Sequence, residues 1–191
     1  MKNIFYVDEL KEDYRKELIN RFNDIYVIDN LVILNVLYND FNNNIKEGQL
    51  VCNKIISEKL LEIFKILFKN KYQIEKINLI DKYNFDDEKS MEDNNSSCFN
   101  YRKILNTNRL SKHAYGLAVD INPLFNPYVI LNKNNEIVVY PNNGIKYIDR
   151  TKNFKHKIDK NDLCYKLFLD NGFEWGGNWK NPDYQHFEYK L

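Results

Sequence analysis

The sequence is short of the residues that build disulfide scaffolds, cysteine metal sites and long linkers. Its three cysteines, Cys52, Cys98 and Cys164, are scattered, odd in number and without a CxxC pair. Neither a disulfide framework nor a cysteine zinc site fits that spacing, and free thiols are expected. Four prolines and six glycines nowhere gather into a linker, and no internal repeat divides the chain. No apolar run approaches the roughly 18 residues that cross a bilayer. The longest, LVILNVL, is interrupted by Asn35 and reads as a buried strand. The opening MKNIFYVDELKEDYRKEL has Asp8, Glu9 and Lys11 where a signal peptide keeps an apolar core. Charge of one sign is missing too, since 28 Lys+Arg face 27 Asp+Glu. That balance removes a whole-protein field that would draw in nucleic acid or an anionic membrane, though it leaves room for a local patch. No nucleic-acid partner and no membrane span are therefore expected.

What is present suits one compact domain: 191 residues, 43% hydrophobic and 15% aromatic, enough for a sizeable core and against disorder. A monomer is expected. Leu10, Tyr14, Leu18 and Phe22 recur every fourth residue, the period of a short amphipathic helix. Residues 1–27 read as a helical extension packed on a domain of residues 28–191. Residues 25–41 are rich in β-branched and aromatic types and predict a strand, which returns past Gly48 into another. NKIISEKLLEIFKILFKN is the clearest helix, with Asn53 as N-cap, Ile56, Leu60, Phe64 and Leu67 on one face, and Asn70 at its end. INLIDKY predicts a strand. Residues 84–112 form a long polar stretch with little periodicity, and a loop of that length is mobile or functional as a rule. LAVDINP is a strand stopped by Pro123, YVIL and EIVVY are two more, and NDLCYKLFLDNG is a short helix closed by Asn171-Gly172. Strands in runs with few helices predict an α+β fold, with a central antiparallel sheet flanked by helices.

The chemistry begins at SKHAYGLAVD. Residues seven apart on an unbroken strand face opposite ways, so His113 and Asp120 converge only if the chain turns between them, which Gly116 allows. Asp120 stands among Leu117, Ala118, Val119 and Ile121, where a carboxylate is costly unless it is paired, hydrogen-bonded or bound to metal. Alone, the pair reads as a turn before a strand, with a structural aspartate satisfied by backbone amides. A second histidine, His186, lies in DYQHFEY between Asp183 and Glu188. Two histidines and a carboxylate with a fourth position open are a ligand set for catalytic zinc, and a neighbouring carboxylate can take a proton from the activated water. On a strand, Glu188 shares the face of His186, whereas Asp183 needs the bend that Pro182 supplies. Periodicity leaves both open as the base. His156, in the lysine-rich KNFKHKIDK, reads as a solvated loop residue outside the site. Arg102, in NYRKI, reads in isolation as a surface ion-pair residue. Beside a zinc site it has the charge to hold the oxygen of a scissile amide.

SKHAYGLAVDINPLFNPY followed by GFEWGGNWKNPDYQHFEY resembles the zinc D-alanyl-D-alanine carboxypeptidases of the VanY type. Within them it is most similar to the branch with L-alanyl-D-glutamate endopeptidases and phage endolysins. The pattern S-x-H-x6-D with a later D-x-x-H falls on Ser111, His113, Asp120, Asp183 and His186. SSCFNYR matches the segment carrying the family's substrate-polarising arginine, at Arg102. Weaker similarity reaches back to about residue 28. The resemblance implies a zinc DD-carboxypeptidase-like catalytic domain over residues 28–191, with a Hedgehog/DD-peptidase-like site. In it Zn2+ is held by His113, Asp120 and His186, Asp183 is general base and acid, and Arg102 binds the scissile carbonyl. Glu188 becomes a strand or outer carboxylate, Ser111 orients substrate or a ligand, and Trp175, Tyr184 and Gly176-Gly177 shape the groove. Asn178 departs from the aspartate common in WGGDW, at the cost of an outer hydrogen bond or charge. The implied partners are peptidoglycan stem peptides, and the place of action is the cell wall, reached by export or by phage lysis. The rival expectation is a catalytically idle zinc-containing module of the same fold that binds peptide or glycan; the presence of both Asp183 and Arg102 speaks against it.

Overall fold

The computed structural model describes residues 4–105 and 107–190. Along the chain run β1 (Tyr6–Glu9), α1 (Glu12–Phe22), α2 (Ile25–Ile28), β2 (Leu31–Asn39), β3 (Ile45–Asn53), α3 (Lys54–Lys69) and β4 (Lys76–Ile77). There follow α4 (Asp87–Glu92), β5 (Asn95–Ser96), β6 (Ala118–Asp120), β7 (Tyr128–Leu131), β8 (Ile137–Tyr140), α5 (Leu163–Asp170), β9 (Phe173–Trp175) and β10 (His186–Tyr189). The fold is mixed α and β, but the expected central sheet is divided. Two three-stranded antiparallel sheets, β1-β2-β3 and β6-β10-β9, are accompanied by the parallel pair β4-β5 and the hairpin β7-β8.

β2 is apolar almost throughout because both its faces are covered. Val32, Leu34, Val36 and Tyr38 join the main core with Ile56, Leu60, Ile63, Phe64 and Leu67 of α3. Leu31 and Ile33 face the other way, onto Leu18 of α1 and Val27 and Ile28 of α2. Asn53 caps α3, its side chain accepting from the Ile55 amide at 3.1 Å, and Asn70 ends the helix. The first 27 residues contribute a strand as well as helices, since β1 pairs along β2. Residues 25–28, apolar enough to read as strand, form a helical turn because the Asp24 side chain accepts from the Val27 amide at 3.1 Å. INLIDKY also departs from a strand, for only Lys76–Ile77 pair before a 3-10 turn closes at Asn84.

Residues 84–112 are more ordered than a polar loop. Asn94, Asn95, Ser96 and Ser97 are buried, and the side chains of the first three satisfy backbone groups that have no ladder partner. The Asn94 oxygen accepts from the Leu124 amide at 2.9 Å, Asn95 from Asn78 at 2.8 Å, and the Ser96 hydroxyl from Asn122 at 3.0 Å. His156 is likewise no solvated residue. It is half-buried and stacked on Phe41, with ring centres 3.6 Å apart, while Phe125 meets it edge-on.

The two three-stranded sheets meet at Gly116. A 3-10 turn over His113–Tyr115 ends there with φ of +64°, a conformation that an L side chain rarely adopts. A Cβ would lie 2.7 Å from the Asn53 backbone nitrogen. Asn53 answers with a backbone hydrogen bond to the Gly116 carbonyl at 2.8 Å and a side-chain one to the Tyr115 carbonyl at 3.1 Å. Gly116→Ala therefore combines backbone strain with a clash against main-chain atoms. A loss of about 1–3 kcal/mol is expected, read as a lower urea midpoint at unchanged slope; a midpoint equal to wild type would show the contact to be slack.

Candidate metal centre

Three residues from three places in the chain converge on one point. β6 and β10 pair so that His186 stands directly opposite Asp120, and side chains so placed are cross-strand neighbours. His186 Nδ1 is 3.1 Å from Asp120 Oδ1. The turn ended by Gly116 returns His113 to the same spot, with Nε2 3.2 Å from Asp120 Oδ2 and 3.0 Å from His186 Nδ1. One ligand atom from each of the three lies within 4.8 Å of the others, and all three side chains are buried. Phe187, between the site residues of β10, points to the opposite face and stacks on Phe168 at 4.3 Å, so the strand carries core on one side and chemistry on the other.

The donor set fits a small divalent cation. The Cys98 carbonyl, 2.6 Å from His113 Nδ1, is an acceptor only, so Nδ1 carries a hydrogen and Nε2 is the nitrogen left to meet the other two groups. Nε2 faces a second ring nitrogen at 3.0 Å and a carboxylate oxygen at 3.2 Å, a donor set with a place among them for a proton or one cation. Burial alone would raise the Asp120 carboxyl, but the rings of His113 and His186 more than reverse it and hold the group well below the usual carboxylate range. Burial likewise works against charge on His186, yet its hydrogen bonds to Asp120 and Glu188 outweigh this and lift its pKa to about 10. In the metal-free chain a proton thus occupies the place a cation would take.

Asp183 sits just ahead of β10, bridged to Tyr128 and set off from the strand by a bend at Tyr184 and Gln185. Its backbone nitrogen donates to the Gly176 carbonyl at 3.0 Å. Gly176 is needed for this approach, because a Cβ there would lie 2.8 Å from the Asp183 carbonyl oxygen. Asp183 Oδ1 is enclosed and has no hydrogen-bond partner among the described residues. Its pKa is pushed up to about 7, chiefly by burial; His186 pulls it down, Asp120 pushes it further up, and Arg102 opposes. Arg102 is held by Asp87, whose Oδ2 lies 2.8 Å from its Nε without the N–H being aligned for a hydrogen bond. Asn100 fixes the other carboxylate oxygen at 2.9 Å. Asp87, on α4, lies in the stretch read as loop and escaped the sequence reading.

His113, His186, Asp183, Arg102, Ser111 and Glu188 all line one groove of about 1350 Å3. The Ser111 hydroxyl accepts from the Ala114 amide at 3.2 Å and so braces the turn bearing His113. Trp175 and Tyr184 do not line the groove. Trp175 is in the core, its indole N–H donating to the Tyr184 carbonyl at 3.0 Å, and the Tyr184 ring lies under Arg150 at 4.3 Å. Their place is taken by Trp179, whose ring centre is 5.2 Å from that of His186. The distinguishing signal was period two, since Trp175 shares its strand face with Phe173. Asn178 is exposed and apart from the groove.

A buried set of two imidazoles and a carboxylate, open to a groove with a further carboxylate and an arginine, is the kind of centre that metal-dependent hydrolases use. A family model described as D-alanyl-D-alanine carboxypeptidase matches residues 105–189, which include His113, Asp120, Asp183 and His186 but not Arg102. The match supports at the family level the likeness to metallopeptidases seen in the sequence. Neither a curated protein nor a solved structure is found to match the chain. Among the described residues, no helix is long and apolar enough to cross a membrane.

Because His186 holds a proton up to about pH 10 in the metal-free chain, a metal has to displace it. Titration with zinc at pH 7.5 should release on the order of one proton per ion, seen as a dependence of the calorimetric heat on buffer ionisation enthalpy. The apparent affinity should rise with pH toward that value. A pH-independent affinity between pH 6 and 9 would contradict the arrangement.

Proposed function

We propose that the chain is a zinc-dependent peptidase that hydrolyses amide bonds in peptidoglycan stem peptides, of D-alanyl-D-alanine carboxypeptidase or L-alanyl-D-glutamate endopeptidase type. The observation that carries this reading is the meeting of His113, Asp120 and His186 at a groove that His113, His186, Asp183 and Arg102 line. The family match over residues 105–189 supports it. The groove is larger than the roughly 300–1,000 Å3 of small-molecule pockets, which suits an extended peptide.

Zinc held by His113, Asp120 and His186 would supply a Lewis acid that makes water a nucleophile near neutral pH and polarises a carbonyl. Asp183 is the base. Its unpartnered oxygen is free to accept a proton from the attacking water as the water oxygen bonds to the amide carbon. It returns that proton to the nitrogen as the C–N bond breaks. Burial keeps the proton affinity of Asp183 near the working range, and the positive charge of a bound metal opposes that rise. Arg102 donates to the carbonyl oxygen as negative charge develops there, with Asp87 holding the guanidinium in place. Ser111 acts on the His113 turn.

Digestion of purified bacterial sacculi tests the reading. Wild-type chain with zinc should release new amino termini, a chelator should stop the release, and Asp183→Asn should lower the rate by about 10²-fold or more. Mass spectrometry of the fragments identifies the bond. Absence of release by the zinc-loaded wild type, with peptide binding unchanged in Asp183→Ala, would overturn it in favour of an idle binding module.

A further inference from the structure

We infer that Glu188 is the positioning residue that makes His186 offer Nδ1, and not Nε2, to the metal; the inference rests on the metallopeptidase reading above. A neutral imidazole has one N–H and one lone pair, and whatever meets the first nitrogen decides what the second can do. Residues two apart on a strand share a face, so β10 sets Glu188 beside His186. Glu188 Oε2 lies 3.2 Å from His186 Nε2. An ionised carboxylate only accepts, so Nε2 carries the hydrogen and donates it, and the lone pair falls to Nδ1. That nitrogen is the one facing Asp120 Oδ1 at 3.1 Å and His113 Nε2 at 3.0 Å.

The two histidines are thus oriented in opposite senses by different devices. His113 gives its Nδ1 hydrogen to the Cys98 carbonyl and presents Nε2. His186 gives its Nε2 hydrogen to Glu188 and presents Nδ1. The first device is backbone and survives any side-chain substitution, whereas the second is one carboxylate that mutation can remove. The contact also separates the two acids flanking His186. Glu188 is engaged with the ring, while Asp183 keeps an unpartnered oxygen for the proton.

The test is zinc affinity of the full chain, by competition with a chromophoric chelator, for wild type, Glu188→Leu and Glu188→Gln. Leucine removes the acceptor and should weaken zinc binding about 10–100-fold. Glutamine, whose amide oxygen still accepts, should stay close to wild type. Imidazole 15N shifts of the zinc-loaded wild type give a reading that needs no variant, with His186 ligated through Nδ1 and protonated at Nε2. Wild-type affinity in Glu188→Leu, or ligation through Nε2, overturns the inference and leaves the peptidase reading standing. A wild-type chain that binds no zinc overturns both.

Discussion

A carboxylate shut away from water has to be met by donors or by positive charge, and Asp120 is placed so that little else can meet it. It occupies the last position of a short strand whose other residues belong to the core. Its own hydration is lost, so its charge persists only through the two imidazoles that face it. Those rings come from a turn upstream and a strand near the end of the described chain. The centre therefore exists only when β6, β10 and the Gly116 turn are all in place. Folding and assembly of the site are one event, and a metal bound there would link its affinity to fold stability.

The scaffold meets that demand with regular structure where the ligands are and irregular structure around them. Register between β6 and β10 sets Asp120 against His186, and the stack of Phe187 on Phe168 holds that register from the core side. A one-residue slip would turn His186 into the core and bring Phe187 to the groove. The segment Ser97–Asn100 then laces the remaining ligand in. Ser97 and Asp120 exchange backbone hydrogen bonds at 3.1 and 2.9 Å, and the Cys98 carbonyl fixes the His113 ring.

What the sequence made legible follows from period and pattern. The strand LVILNVL, the helix capped by Asn53, the strands YVIL and EIVVY, and the convergence of His113, Asp120 and His186 express an apolar run, a 3.6-residue repeat, β-rich composition and a spaced motif. What escaped depends on side-chain hydrogen bonding, which leaves no hydrophobic trace. Asn94, Asn95 and Ser96 look like loop residues in composition, yet they are interior because their side chains stand in for backbone partners. Asp24 turns a β-branched run into a helical turn by the same means. The two tryptophans show the limit from the other side. Residue type alone favours either as a groove wall, and only the face of β9 sends Trp175 inward and leaves Trp179 beside His186.

In the proposed mechanism, metal binding and proton transfer rest on different supports. The three ligands stand on paired strands and a hydrogen-bonded turn. Asp183 depends instead on the absence of a side chain at Gly176, and Arg102 on an ion pair to Asp87 of α4. The Asp87–Arg102 pair stands apart from His113, Asp120 and His186, so its loss would disturb Arg102 alone, whereas the Asp183 carbonyl that the Gly176 gap admits also accepts from the His186 amide at 3.4 Å. An idle binding module therefore lies only a few substitutions from a hydrolase on this frame. The presence together of the Gly176 gap, the Asp87–Arg102 pair and the unpartnered Asp183 oxygen is accordingly an argument for chemistry, since holding a cation requires none of them.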